Sequence, residues 1–263
     1  MRRGIQGWAV WFGWRILLCG GVLCGSVLAP TAGAAALPAA GGLAPRSAVA
    51  TAKADLRAVL EAKPDIAHGA SLFEICTECH GPHGDGDASG WPPEIAGQHP
   101  RVIAKELTDF RAGVRWYDPM KRIAGRHVIG TTQDIADAAA YVSRLPMSPA
   151  TAMGDGQWLA PGGRLYARQC EWCHGPQGEG SDERFVPRVA SQQFEYLLRQ
   201  LHDAVEGRRP NMRVQHLRLL QGDSSEDLVG LADYMSRLGR PEVEPRPPPG
   251  GDVMPPESSP SGK

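Results

Sequence analysis

The 263-residue chain is short of the features that define several large classes of protein. No segment alternates apolar and polar residues as a half-buried strand would, so no sheet is expected. No apolar run is long enough for an ordinary membrane span: Ile16 to Ala29 is the nearest, and Arg15 blocks its extension back to Trp8. Charge of one sign is not in excess, with 28 Lys and Arg against 29 Asp and Glu, which gives no sign of a nucleic-acid partner. Cysteines free for a disulfide are also missing. Of six, Cys19 and Cys24 lie in the N-terminal apolar run and the other four form two short strings.

What is present begins with an export signal. Arg2 and Arg3 precede the apolar run, and Ala34-Ala35-Ala36 suits a small-residue cleavage site, so residues 1–36 read as a signal peptide and the mature protein as periplasmic. An uncleaved signal retained as a membrane anchor is the competing reading, and loose membrane association is a further one. Cys19 and Cys24 each follow Leu, which does not suit lipid attachment. Without Arg2, Arg3 and Arg15 the chain keeps 25 basic against 29 acidic residues, near −4.

The two strings are Cys76-Thr77-Glu78-Cys79-His80 and Cys170-Glu171-Trp172-Cys173-His174, 94 residues apart. Cys-x-x-Cys-His is the attachment sequence of c-type haem: two thioethers to the vinyl groups, and the adjacent histidine on the iron. One string alone could be chance or half a zinc site. The same offset also pairs Gly69 with Gly163, Pro93 with Pro187, Ala96 with Ala190, Gln98 with Gln192 and Gly113 with Gly207. A period this long in two copies means duplicated domains, not a solenoid. Two covalent haems are therefore expected, on Cys76, Cys79 and His80 and on Cys170, Cys173 and His174. Each copy, about 80 residues, is small for a self-sufficient core, and a haem would supply apolar filling.

The expected organisation is a leader at 37–63, with a short helix at Ala54–Ala62, then a first domain at 64–145. A linker at 146–162, a second domain at 163–240 and a disordered Pro-rich tail at 241–263 follow. Each domain reads as all-α, three main helices around a haem. Helical segments lead into the haem strings, the second helices are Arg101–Ala112 and Gln192–Glu206, and the third are Gln133–Leu145 and Ser225–Leu238. Phe194, Leu197, Leu198, Leu201 and Val205 form an amphipathic stripe. Gly113 and Gly207 suit helix ends, and Thr132 and Ser224 or Ser225 suit N-caps.

A haem iron with one histidine needs a decision about its other face. Of the methionines, only Met120 and Met212 hold equivalent places, between the second and third helices. Methionine there raises the reduction potential and suits electron transfer. Met235 reads as core filling, and Met147, Met153 and Met254 have no visible role. His127 and His216 compete as ligands, whereas His68, His83, His99 and His202 have no counterpart in the repeat and read as structural.

The strings with their following glycines (76–86 and 170–180), the loop Pro93-Glu94-Ile95-Ala96-Gly97-Gln98 and the helix ending Asp109-Phe110-Arg111-Ala112-Gly113 resemble class I cytochromes c. More closely, they are similar to dihaem cytochromes of the c-four type, over about 64–145 and 163–240. The resemblance implies that the Pro93 and Pro187 carbonyls hold the second ring nitrogen of His80 and His174. Ser191 stands where that loop usually has glycine. The expected function is single-electron carriage between respiratory partners, such as a quinol-oxidising complex and a terminal oxidase, with no catalytic residue. A dihaem oxidoreductase on a small inorganic substrate, or an electron-accepting subunit of a larger dehydrogenase, are the alternatives. Arg111, Arg115, Lys121, Arg122, Arg126, Arg208, Arg209, Arg213 and Arg218 cluster near the methionines, as a docking or propionate-pairing surface or simply a solvated face.

Overall fold

The computed structural model describes residues 44–149 and 151–239. The expected signal peptide, residues 37–43 of the leader, the Pro-rich tail and Met254 lie outside them. The described residues form ten helices and one isolated bridge, Ser181 to Val186, with no strand.

The leader differs from expectation. Helix α1 starts at Arg46 and runs to Glu61, packing on two helices of the first half, with Val59 buried in their core. Its first two turns are rich in Ala, Ser and Val, which give little sequence periodicity, so only the later part reads as helix. Asp65 then caps α2 (Ile66–His80) by accepting from the backbone N–H groups of Ala67 and His68. This helix runs unbroken through the first haem string and stops at Gly81, whose φ is 77°. Its counterpart is broken: α6 (Leu159–Gln169) ends at Cys170, and a short α7 (Glu171–His174) follows.

The second helices are α3 (Pro100–Ala112), closed by left-handed Gly113, and α8 (Phe194–Val205). The third helices are α5 (Thr132–Val142) and α10 (Ser225–Arg237). Both begin with a capping box, Thr131 with Asp134 and Ser224 with Asp227. The first cap is thus one residue before the expected Thr132. Ile135 on α5 and Leu231 on α10 are fully buried, each stabilising its half by roughly 1.5–3 kcal/mol.

Close helix contact explains two glycines. A Cβ on Gly69 would lie 2.2 Å from the Asp137 carbonyl oxygen, and one on Gly162 would lie 2.0 Å from that of Gly230. Only glycine lets α2 approach α5, and α6 approach α10, this closely. The segments between second and third helices are partly helical, as α4 (Asp118–Ile123) and α9 (Val214–Leu220), and were expected to be loops. Helices α1 to α5 pack among themselves, and α6 to α10 do the same.

Candidate haem sites

Each half delivers its histidine from the end of a helix into the interior, His80 at 6 % exposure and His174 at 8 %. The Nδ1 of His80 lies 2.8 Å from the Pro93 carbonyl oxygen, and that of His174 lies 2.9 Å from the Pro187 carbonyl oxygen. A carbonyl only accepts, so Nδ1 carries the proton in both rings and Nε2 keeps its lone pair. That is the tautomer an iron ligand requires. Burial pushes both imidazoles towards the neutral form, His174 down to about 4, against the opposing pull of the proline carbonyls.

All four cysteines beside these histidines are unpaired. Burial, then the neighbouring Cys79, pushes the Cys76 thiol up to about 11. Burial, then Asp223 and Cys173, pushes Cys170 up to about 12. Both thiols are therefore held in the neutral form. Among the described residues, the one group of three potential metal ligands whose atoms lie within 4.8 Å of one another is His68, Asp134 and Asp137. Neither Cys-x-x-Cys-His string forms such a group. The donor set fits a covalent haem in each half.

Met120 sits within α4, partly buried against the first core, and Met212 just ahead of α9, partly buried against the second. Met235 is buried in the second core, as expected of gap filling. The two competing histidines separate: His127 is exposed, whereas the His216 ring lies edge-on to His174 with centroids 6.1 Å apart. The His216 Nδ1 is buried without a hydrogen-bond partner. The first half has fully buried Ala124 at the same step past its methionine. Matched position in the repeat favours Met212, while proximity to His174 singles out His216.

The basic cluster is mostly engaged within the molecule. Arg111 donates to the carbonyls of Ala124 and Ile129, Arg126 pairs with Asp55, and Arg208 with Asp203. Arg115 and Arg209 bind opposite oxygens of Glu106 at 2.7 and 3.1 Å. Asn211 donates to Glu106 at 3.0 Å and Asp109 at 2.9 Å, so α3 of the first half anchors the segment carrying Met212. Burial alone would raise the Glu106 carboxyl, but Arg209, Arg115 and Lys105 outweigh it and hold it well below the usual range. Sequence reasoning missed this network, because nothing local marks Glu106 as the partner of residues a hundred positions away.

The family model described as cytochrome c matches residues 66–146. Cytochrome c4 of Azotobacter vinelandii is 32% identical over 196 residues, covering 66% of this chain and 89% of that protein. The thiosulfate dehydrogenase electron acceptor of Stutzerimonas stutzeri is 30% identical over 180 residues, covering 64% and 81%. The solved structure of reduced recombinant cytochrome c4 from Pseudomonas stutzeri superposes with a TM-score of 0.59 at 28% identity, covering 67% of this chain and all of that one.

Proposed function

The chain belongs to the cytochrome c4 family of dihaem electron carriers with two covalent c-type haems, and from that premise we propose that it is an exported, periplasmic carrier moving single electrons between respiratory partners. The observation that supports this most is the repeated pairing of a buried histidine with a proline carbonyl, His80 with Pro93 and His174 with Pro187.

Cys76 and Cys79 would hold one haem and Cys170 and Cys173 the other, with His80 and Met120, and His174 and Met212, on the irons. The haem iron supplies the electron storage. This chain's part is to keep Nδ1 of each histidine donating to its proline, so that Nε2 stays aimed and basic, and to bury the site from water. Its redox partners would meet it through small, transient interfaces; a quinol-oxidising complex and a terminal oxidase fit that role. The electron-accepting subunit of a dehydrogenase is the second reading, favoured by the relative that accepts electrons from thiosulfate dehydrogenase.

The test is the mass and the oxidised absorption spectrum of the exported protein. Two haem masses above the cleaved polypeptide, and a near-infrared sulfur-to-iron band that falls by half in Met120→His and again in Met212→His, are expected. A wild-type band of one haem's intensity, unchanged in Met212→Ala, would move the second ligand to His216. Turnover of thiosulfate by the purified chain alone would replace the carrier with an enzyme.

A further inference from the structure

The loops that hold the two histidines are clasped by the opposite half, and the clasp is reciprocal. Gln98 of the first half accepts from the backbone N–H of Arg188 at 2.9 Å and donates to the Arg188 carbonyl at 3.0 Å. Gln192 of the second half accepts from the N–H of Glu94 at 3.2 Å and donates to the Glu94 carbonyl at 2.8 Å. The participants correspond through the repeat: Gln192 is 94 residues after Gln98, and Arg188 is 94 after Glu94. The next residues repeat the pattern. His99 Nε2 donates to the Glu179 carbonyl, and Gln193 Nε2 donates to the Asp85 carbonyl, again 94 residues apart.

The N–H groups that these glutamines bind have a particular place in the chain. The Glu94 N–H belongs to the same peptide group as the Pro93 carbonyl that holds His80. The Arg188 N–H belongs to the peptide group of the Pro187 carbonyl that holds His174. A hydrogen bond accepted from one end of a peptide group shifts electron density to its carbonyl, strengthening the bond accepted there by about 10–30%. A stronger acceptor draws the histidine's Nδ1 proton harder and makes Nε2 more basic. A more basic ligand favours the oxidised iron.

We propose that Gln98 and Gln192 are positioning residues, each setting the reduction potential of the haem in the other half through the peptide group beside its proline. Each glutamine lowers that potential. The effect is unequal, because the Glu94 N–H is also bound by Gln193 at 2.7 Å, so the first haem receives two such bonds and the second only one from Gln98. This rests on His80 and His174 being the iron ligands.

The experiment is a spectroelectrochemical titration of the full dihaem protein carrying Gln98→Leu, Gln192→Leu or Gln192→Leu with Gln193→Leu. Each potential is assigned to its half by repeating the titration with Met120→His or Met212→His. Gln192→Leu should raise the first haem's potential and leave the second; Gln98→Leu should do the reverse. A shift of about two- to tenfold in the reduction equilibrium is expected, about 20–60 mV at 59 mV per tenfold for one electron. The double variant should shift the first haem further. Gln→Met, similar in length and without the amide, serves wherever Leu prevents folding. A variant that moves its own half's haem, both haems equally, or neither overturns the proposal. Loss of low-spin character should follow His80→Ala and His174→Ala in the unmodified background; its persistence would sink the ligand reading instead.

Discussion

Ser191 donates from Oγ to the Leu238 carbonyl at 3.1 Å while its own backbone is left-handed, with φ at 55°. The first copy has Gly97 here, at φ 64°, where no side chain opposes that conformation. In the second copy a serine bears the strain, and its hydroxyl ties the loop to the end of α10. Ser191→Ala keeps the strain and loses the bond, so it should destabilise by about 1 kcal/mol. Ser191→Gly relieves the strain as it loses the bond, and should fall within about 0.5 kcal/mol of the parent. Denaturant midpoints of the two variants decide it; equal losses would show that backbone strain plays no part.

Glu106 should govern acid stability. Its carboxyl is held below its ordinary value in the folded chain, so the unfolded chain binds a proton first as pH falls. The stabilisation is fully present above the ordinary carboxylate pKa, about 4.3, and is lost as pH falls below that towards the folded value. Glu106→Gln should therefore lower the thermal midpoint at neutral pH and flatten its fall between about pH 4.5 and 3. Because Arg115 and Arg209 lose their partner in a half-buried site, a cost of about 1–3 kcal/mol is expected at pH 7. A parallel acid transition in the variant would assign acid lability elsewhere.

Asp137 provides a contrast within the first half. Its side chain is 1 % exposed and accepts from the Asp65 N–H, the Gln133 amide and the His68 ring. Asp137→Ala would leave the Asp65 N–H and the Gln133 amide short of an acceptor and should cost about 2 kcal/mol. His68→Ala should cost little, because that ring is half exposed. Chemical denaturation of both variants checks the order; the reverse order would make His68 the anchor.

Gly69→Ala would press a methyl against the Asp137 carbonyl, 2.2 Å from where its Cβ falls. Backbone cannot yield as a flexible side chain can, so a loss of about 1–3 kcal/mol and a displaced α2 are expected. Since α2 carries the first haem string, the variant should also export with less haem on that half. Haem content per polypeptide, by mass, measures this, and full loading would show that α2 slides without cost.

Much of this fold is legible because its signals are local. The strings at 76–80 and 170–174 name their chemistry by spacing alone, and the stripe from Phe194 to Val205 marks α8 by its period. The helix-ending Gly113 and the capping Ser224 are visible for the same reason. The early turns of α1 are not, because Ala and Ser there carry no stripe and the helix depends on burying Val59 in the first core. The internal use of the arginines is not legible either: Arg115 and Arg209 look like surface charge until Glu106 is seen between them. Gln98 and Gln192 appear as a matched pair, yet their matching says nothing of which backbone each would bind. His99 looks unpartnered for the opposite reason, since its counterpart in the repeat, Gln193, is a different residue type making the same bond.

Contacts that run both ways between copies of one unit carry a further consequence. Gln98 lies on the same half as the Glu94 backbone, the counterpart of the Arg188 backbone that Gln98 binds. His99 lies on the same half as the Asp85 carbonyl, the counterpart of the Glu179 carbonyl that His99 binds. A half of this kind bears both members of each contact, so its surface is self-complementary. Two copies of the first half alone would have the means to close an isologous homodimer, each giving its glutamine and taking the other's. The covalent link between the halves then fixes a pairing that the surfaces already encode. The two copies differ all the same, with Gly97 in the first where the second has Ser191.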